Sequence, residues 1–417
     1  MDHGKKRMSG PAPPNFRPVA LVIAAALFIA LLTLVPSSGT TSVTPFACLR
    51  CGDRGIADLI LNVVLFLPLG AALAAAGVVP RRAMIITLAF SASIELTQFA
   101  LPGRSPTARD VFANAAGGWF GAVLMVRSHL WTRRGPHSVR LLWAATMFAV
   151  VSVAAGGRLL RPEPTDSDYY AQWAPKLGEL EIWTGRVDEV TLGAYNLRRG
   201  RHGTASGARE ALESGASLRI AGHAAAAPSA LAPIFAIADL EQRHVIMVAQ
   251  ERDDIVVRPF RVSSRLRLDT PDIRFPDALA GLRAGVPLVI VLDGLVGLRG
   301  CISVNARSQC VPRFGAGSLW SVFVWNRHWT PRRHLWLGAF TMFALALPVA
   351  LLLPTVSRTH AIVASLTLPT GIVVAAAATG LALPSTSELL ALVLALAAGT
   401  MLSRTARPGR AENLGAG

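Results

Sequence analysis

The chain has 417 residues, of which 52% are hydrophobic and only 16% charged, and its mean hydropathy is +0.45. These values exclude an ordinary soluble globular protein and are typical of a membrane protein. The length leaves room for several spans and one water-exposed domain. The net charge of +16 does not indicate nucleic-acid binding, because no RRM, zinc-finger or helix-turn-helix pattern accompanies it.

Eight apolar stretches are long enough to cross a hydrocarbon core of about 30 Å, which takes roughly 20 helical residues. They lie near residues 18–35, 57–79, 83–101, 109–127, 140–157, 335–353, 361–380 and 386–403. Basic residues precede the first stretch, so it could be a secretory signal peptide; no clean cleavage site follows, which favours an uncleaved anchor. The fold class predicted is a polytopic α-helical membrane protein with about eight spans.

Cations are concentrated in the loops on one side of these spans, as in Arg81, Arg82, Arg133 and Arg134, and such loops are usually cytoplasmic. Both termini are therefore predicted to lie in the cytoplasm of a cell whose plasma membrane holds the chain. The predicted segments are a cytoplasmic tail (1–17), a four-helix membrane domain (18–128), a basic loop with the fifth span (129–157), an extracytoplasmic domain (158–331), three C-terminal spans (332–404) and a cytoplasmic tail (405–417).

The segment 158–331 changes character from long apolar blocks to short runs broken by Gly, Pro, Asp and Asn. Runs at 234–238, 244–249, 254–258 and 288–292 carry β-branched residues or alternate in polarity. Asp293-Gly294 between 289–292 and 295–298 is a hairpin signal. Many short strands with frequent turns predict an all-β sandwich, outside the cytoplasm by the charge rule.

The four cysteines, Cys48, Cys51, Cys301 and Cys310, all fall on the predicted outer side, where disulfides persist. Cys301 and Cys310 bracket a short segment and are expected to be a disulfide that staples a hairpin. Cys48 and Cys51 are open to two interpretations: a small loop disulfide, which we favour, or a redox or metal-binding CxxC pair for which no second ligand pair is nearby.

Polar and ionisable residues interrupt three of the first four spans, and such residues are costly in a bilayer. They are Asp58, Asn62, Glu95, Gln98, Asp110 and Asn114, with Arg104 and Arg109 in the loop that joins the third and fourth spans. Asp58 and Asn62 share a helix face by i, i+4 spacing, as do Asp110 and Asn114. Glu95 lies about 9 Å from the outer end of its span at ~1.5 Å per residue. The sequence therefore predicts that three helices bring polar groups to one level.

Three motifs in this order resemble the VanZ-like family of membrane proteins over about residues 20–128. They are Asp58-Leu-Ile-Leu-Asn62 with Phe66, Pro68 and Gly70; Ser93-Ile-Glu95-Leu-Thr-Gln98; and Arg104 followed by Asp110-Val-Phe-Ala-Asn114-Ala-Ala-Gly117-Gly118. The family often carries another acidic residue between the positions of Arg104 and Asp110, where this chain has Thr107, with Arg109 directly before Asp110. The resemblance implies a link to glycopeptide (teicoplanin) resistance or envelope physiology, without a known reaction.

Two readings of the polar residues are open. In one, Asn62, Gln98 and Asn114 are interhelical hydrogen-bonding groups worth about 0.6 to 2 kcal/mol each, and Gly117 and Gly121 allow close packing. In the other, which we favour, the polar residues line an outer-facing pocket for a polar headgroup. Arg104 would hold a phosphate or carboxylate, and Glu95 would be a buried acid or base. The pocket residues would be Asp58, Asn62, Glu95, Gln98, Arg104, Asp110 and Asn114.

The 158–331 segment resembles concanavalin-A-like or laminin-G-like sandwiches more loosely, through the run Trp183-Thr-Gly185-Arg186-Val187-Asp188-Glu189-Val190. Some similar sandwiches bind calcium, but turns are the commoner use of the candidate aspartates. The tryptophans could stack on sugar rings or belong to the core. No metal site and no cofactor are predicted. The residues considered are Asp239, Asp253, Asp254 and Asp269 for calcium and Trp173, Trp183, Trp320 and Trp325 for sugar.

The function predicted from the sequence is the binding of an envelope lipid or a cell-wall glycan precursor by the membrane domain. One alternative is a membrane enzyme that acts on a lipid-linked substrate with Glu95 as acid or base. Another is a structural anchor for a surface lectin-like domain. The expected partners are membrane lipids and a cell-wall glycan or lipid-linked precursor, and no nucleic acid is expected.

Overall fold

A computed structural model describes residues 16–36, 46–47, 54–104, 106–132, 134–163, 167–178, 180–203, 207–294, 300–305, 307–311, 314–324 and 331–405. The chain divides into two compact units, Met1–Leu130 and Trp131–Gly417.

The described part of the first unit contains four long helices, at the places where the first four spans are predicted. They are α1 (Phe16–Thr33), α2 (Gly55–Ala75), α3 (Pro80–Gln98) and α4 (Ala108–Val126), followed by the short α5 (His129–Thr132). Helix α3 starts with Pro80 in its first turn, where a missing N–H costs nothing. Helix α4 starts at Thr107, whose side chain accepts a hydrogen bond from the Asp110 N–H.

Glycines bring α4 into direct contact with the backbone of α2. A Cβ atom added at Gly117 would overlap the Val63 carbonyl oxygen, and one added at Gly121 would overlap the Leu67 carbonyl oxygen. Both pairs are separated by 54 positions in sequence, so α2 and α4 run in the same direction with one register. This is the close packing that small residues allow between membrane helices.

We expect Gly121→Ala to destabilise the first unit, because even one methyl group must push α4 away from α2. Overpacking of this kind costs about 1–3 kcal/mol of unfolding free energy. Thermal unfolding of the purified full-length protein would measure the loss. Gly135→Ala is the matched control, since a Cβ at Gly135 meets no atom within 4 Å; equal melting temperatures for the two variants would contradict the packing argument.

The described part of the second unit contains one long helix, then twelve strands with two short helices among them, then three more long helices. In chain order they are α6 (Pro136–Leu159), β1 (Tyr169–Trp173), β2 (Arg186–Leu192), β3 (Tyr195–Asn196), β4 (Gly200–His202), α7 (Ala208–Glu213), β5 (Leu218–His223), β6 (Ala232–Asp239), β7 (His244–Glu251), β8 (Asp254–Pro259), α8 (Val262–Arg265), β9 (Ile273–Phe275), β10 (Pro287–Asp293), β11 (Cys301–Val304), β12 (Arg307–Cys310), α9 (Pro331–Leu352), α10 (Arg358–Thr379) and α11 (Thr386–Thr405). Two 3₁₀ segments, Ala316–Val322 and Leu353–Thr355, flank α9.

Four helices in the described part are long and apolar enough to cross a membrane by length and composition. They are Gly55–Ala75, Pro136–Leu159, Arg332–Thr355 and Arg358–Thr379, and shorter apolar stretches lie at Pro18–Thr33 and Thr386–Gly399. Helices α3 and α4 are neither candidate spans nor shorter apolar stretches by these measures, because charged and polar residues interrupt them. The helices are those of a multi-pass membrane protein, and the full set of eight spans stays a prediction.

The strands form two antiparallel sheets that share one core. The orders are β4-β1-β6-β7-β8-β9 and β12-β11-β10-β5-β2-β3. Ile234 and Val248 of the first sheet and Ile220 and Ile290 of the second belong to the same buried cluster. The predicted runs at 234–238, 244–249, 254–258 and 288–292 are the strands β6, β7, β8 and β10.

The central strands β6 and β7 are buried on both faces. Their outer face carries Ala236, Met247 and Ala249, which pack with the partly buried Leu177 and Leu180. A strand covered on both sides reads as a continuous apolar run instead of an alternating one. Buried and partly exposed residues alternate along β10, although Leu288 to Leu292 are all apolar, whereas every residue of β6 is buried.

The hairpin partner of β10 differs from the predicted one. β10 pairs with β11, with Asp293 opposite Cys301, so that Ile302 and Val304 join the core. The expected partner, 295–298, lies outside the described residues. β11 and β12 form the hairpin that 301–310 predicts, and Cys301 and Cys310, directly opposite each other, are disulfide-bonded. Cys48 and Cys51 lie outside the described residues.

A fully buried arginine joins the sheets to α6. The Arg261 side chain is 0% exposed, and it donates to the carbonyl oxygens of Leu160, at the end of α6, and of Pro271. Its guanidinium also lies 5.1 Å from the centre of the Phe314 ring. Burial lowers the pKa of Arg261 to about 10, which leaves it charged at neutral pH.

A buried carboxylate connects the C-terminal helices to the segment that follows the sheets. Glu388, in the first turn of α11, accepts the Gly317 N–H at 3.0 Å and the Ser385 N–H at 2.8 Å. Gly338 of α9 also leaves room for this carboxylate, because a Cβ there would lie 2.8 Å from its oxygen. Glu388 is therefore a helix-start residue, as its position in the sequence suggests, and it also packs against α9.

Candidate functional site

The polar residues of the first unit meet along the antiparallel contact of α3 and α4. At one end the Glu95 carboxylate accepts the Thr107 N–H at 2.9 Å. One turn further along α3, Ser91 contacts Asn114. One turn beyond that, Thr87 lies against Gly118. Glu95, Ser91 and Thr87 thus share one helix face, which follows from their i, i+4 spacing.

Glu95 is buried at the start of α4, with 5% of its surface exposed. The only hydrogen bond that it accepts within the described residues is the one from Thr107. A carboxylate at a helix N-terminus is favoured by the helix dipole and by the free N–H groups there. Its charged neighbours are Asp110 and Arg104. The sequence predicted burial of Glu95, and the structure adds the backbone contact that holds it.

Asn114 is 4% exposed, and only half of its amide is satisfied. Its Nδ2 donates to the Ser91 hydroxyl at 2.8 Å, while its Oδ1 is buried with no hydrogen-bond partner in the described part of the chain. Buried polar atoms in proteins are almost always paired, so a vacant acceptor is exceptional. Ser91 was missed by the sequence analysis, although it lies one turn from Glu95 on the same face.

Gln98 and Arg104 hold the end of α1. The Gln98 amide donates to the Thr33 carbonyl oxygen at 2.9 Å. Arg104 donates from Nε and Nη2 to the Val35 carbonyl oxygen, at 2.9 and 2.7 Å. The Thr33 carbonyl ends α1 and Val35 lies two residues beyond it, so neither oxygen accepts a hydrogen bond within the helix. The predicted role of Arg104 in holding an anion is untested, and the structure shows that part of its guanidinium serves the backbone.

Arg109 joins the starts of α2 and α4. Its side chain is largely buried and lies 3.7 Å from the Asp58 carboxylate and 3.4 Å from that of Asp110. Gly55 makes this possible, because a Cβ there would lie 2.9 Å from Nη1 of Arg109. A guanidinium between two carboxylates is a stable arrangement at a partly buried site. The unusual arginine before Asp110 thus contacts an acid on each of the two helices.

Asn62 lies on α2 near the same level. Val63 faces Gly117 on α4, so Asn62 is within about a turn of Asn114 along the helix axes. Asn62 is partly buried and forms no side-chain hydrogen bond with any described residue. We call the set Asp58, Asn62, Ser91, Glu95, Gln98, Arg104, Arg109, Asp110 and Asn114 the polar cluster.

Several of the residues considered for calcium or sugar have other partners within the two-sheet domain. Within the described residues no group of three or more His, Cys, Asp or Glu could hold a metal ion. Asp239 accepts from Arg243, and Asp254 pairs with Arg274. Trp183 is buried and donates to Gln250 at 2.8 Å, as a core residue does. Trp325 lies outside the described residues.

A comparison with protein families identifies the domain that contains this cluster. A family model described as VanZ/LLP1 matches residues 17–131. The chain carries a VanZ-like domain. That domain contains α1 to α4 and the whole polar cluster, in agreement with the resemblance found over residues 20–128. No curated protein and no solved structure matches the chain.

We expect Asn114→Ala to change the unfolding free energy by less than about 1 kcal/mol, because one hydrogen bond is lost while a vacant buried acceptor is removed. Gln98→Ala serves as the comparison, since its amide completes a backbone carbonyl that would be left unpaired; it should cost more, about 1–3 kcal/mol. Chemical or thermal unfolding of both variants measures this difference. A larger loss for Asn114→Ala would mean that Asn114 mainly holds the helices together.

Proposed function

We propose that the VanZ-like domain binds the polar headgroup of an envelope lipid or a lipid-linked cell-wall glycan precursor at the polar cluster. The single observation that carries the proposal is a pair of buried groups with unused acceptor capacity at the contact of α3 and α4. Glu95 accepts one hydrogen bond, and Asn114 Oδ1 accepts none, within the described residues. Stabilising a helix contact requires neither a carboxylate nor a vacant amide oxygen, because both raise the cost of burial.

We propose that both termini are cytoplasmic and that the sheets lie outside. The excess of Lys and Arg in the alternate short loops supports this orientation. The Cys301–Cys310 disulfide supports it independently, because disulfides persist in oxidising compartments. In this orientation the start of α4 and the end of α3, where Glu95 and Thr107 meet, face outward.

Alkaline phosphatase folds only outside the cytoplasm. The enzyme should therefore be active when it is fused after Val324 and inactive when it is fused after Gly135. Green fluorescent protein at the same two positions should give the reverse pattern. Phosphatase activity at Gly135 together with none at Val324 would invert the topology and move the polar cluster to the cytoplasmic side.

The two-sheet domain has the layered, antiparallel build of concanavalin-A-like and laminin-G-like sandwiches, and we propose that it belongs to this class. We further propose that the chain acts in envelope physiology, of which glycopeptide resistance is one form. The support for this role is the VanZ/LLP1 match over residues 17–131.

The binding proposal is tested by lipid co-purification from native membranes, followed by mass spectrometry. Wild type should retain a lipid or lipid-linked glycan that Glu95→Gln loses by at least about fivefold, because one acceptor oxygen becomes a donor. Glu388→Gln is the matched control, since Glu388 is also a buried carboxylate that accepts backbone N–H groups at a helix start, but in the second unit. It should leave the bound lipid unchanged.

The alternatives give different results in the same experiment. Retained binding with altered or uncleaved lipid in Glu95→Gln would indicate an enzyme with Glu95 as acid or base. Identical lipid content in wild type, Glu95→Gln and Asn114→Ala would indicate an anchor for the two-sheet domain and would contradict the binding proposal.

A further inference from the structure

We infer that the ligand group entering the polar cluster is a hydrogen-bond donor, a hydroxyl or an ammonium group, and not an anion. This inference rests on the proposed function and specifies the chemistry of its ligand. It departs from the prediction made from the sequence alone, in which Arg104 would hold a phosphate or carboxylate.

Both cations of the polar cluster already contact other groups of the protein. Arg109 lies between the carboxylates of Asp58 and Asp110, at 3.7 and 3.4 Å. An anion at Arg109 would therefore approach two negative groups together with the one positive group. Arg104 directs Nε and Nη2 to a single carbonyl oxygen, that of Val35, which turns this edge of its guanidinium toward the end of α1.

Glu95 has hydrogen-bonding capacity that the described residues do not use. The cluster contains three carboxylates, those of Asp58, Glu95 and Asp110, and two guanidinium groups. Glu95 is buried beside Asp110, a group of like charge, and accepts only the Thr107 N–H from the described residues. Carboxylates accept up to about four hydrogen bonds. Glu95 therefore has capacity that only a donor can use.

The amide of Asn114 provides a second acceptor, and this observation does not depend on the charges of the cluster. Its Nδ2 is already bonded to Ser91, so that the group left over is an oxygen, which accepts and cannot donate. Asn114 contacts Ser91, which lies one turn from Glu95 on α3. The Asn114 amide oxygen and the Glu95 carboxylate therefore lie about one turn apart along the contact of α3 and α4. A ligand that offers several O–H or N–H groups matches this pair, whereas a phosphate would add acceptors to acceptors.

The test compares ligands that differ in donors and share the rest of their chemistry. Full-length protein in detergent is titrated with the dihexanoyl forms of phosphatidylethanolamine, phosphatidylcholine, phosphatidic acid and glucosyl diacylglycerol. Phosphatidylethanolamine and phosphatidylcholine have the same charges, but only the first has N–H donors. We expect phosphatidylethanolamine or the glucosyl lipid to bind at least about tenfold tighter than both phosphatidylcholine and phosphatidic acid, because sites built to hydrogen-bond a donor reject analogues without one. Tighter binding of phosphatidylethanolamine would identify the donor as an ammonium group, and tighter binding of the glucosyl lipid would identify it as a hydroxyl group.

Two variants and one control connect the preference to the cluster. Glu95→Gln and Asn114→Ala should each reduce the preference for donor lipids by at least about fivefold, since each removes one buried acceptor. Glu388→Gln should leave all four affinities unchanged. Circular dichroism confirms folding of each variant, and Asn114→Ala provides the measurement if Glu95→Gln does not fold.

The outcomes separate this inference from the proposed function. Tightest binding of phosphatidic acid, or equal binding of phosphatidylethanolamine, phosphatidylcholine and the glucosyl lipid, overturns the donor inference; if Glu95→Gln still weakens that binding, the proposed function stands. Absence of binding by all four lipids, or affinities that neither cluster variant changes, overturns both.

Discussion

Polar groups among apolar helices must find their partners inside the protein, because hydrocarbon supplies no hydrogen bonds. In the VanZ-like domain this requirement explains most of the contacts of its polar residues. Glu95 receives the backbone N–H of Thr107, and Gln98 completes the last turn of α1. Arg109 sits between two acids. Asn114 Oδ1 is the exception in the described part of this domain, because it is buried and has no hydrogen-bond partner.

The same domain depends on how closely its helices approach. Without side chains at Gly117 and Gly121, α4 contacts the carbonyl groups of α2 directly. That approach fixes the register of the two helices, and the register in turn places Arg109 beside Asp58 and keeps Asn62 near the level of Asn114. Helix packing and the chemistry of the cluster are therefore coupled: a change of side-chain volume on α4 alters which polar groups meet.

Several features could be predicted from the sequence because they depend on local pattern. Long apolar runs located the helices, a short β-branched run located β10, and the spacing of Cys301 and Cys310 matched a hairpin. The sheet orders and the contacts of the cluster depend on partners far apart in sequence. Nothing near Arg104 indicates that Val35, 69 positions earlier, is its acceptor. Likewise nothing near β10 indicates that β11 is its partner, a pairing that brings Ile302 into the core.

The modest hydropathy of α3 and α4 has a consequence for biogenesis. Neither helix qualifies as a membrane span by its own composition, whereas α2 does. Together, however, they shield Ser91, Glu95 and Asn114 within their mutual contact. We expect the translocon to release α3 and α4 into lipid as a pre-associated hairpin resting on α2, so that the order of synthesis itself helps to assemble the domain.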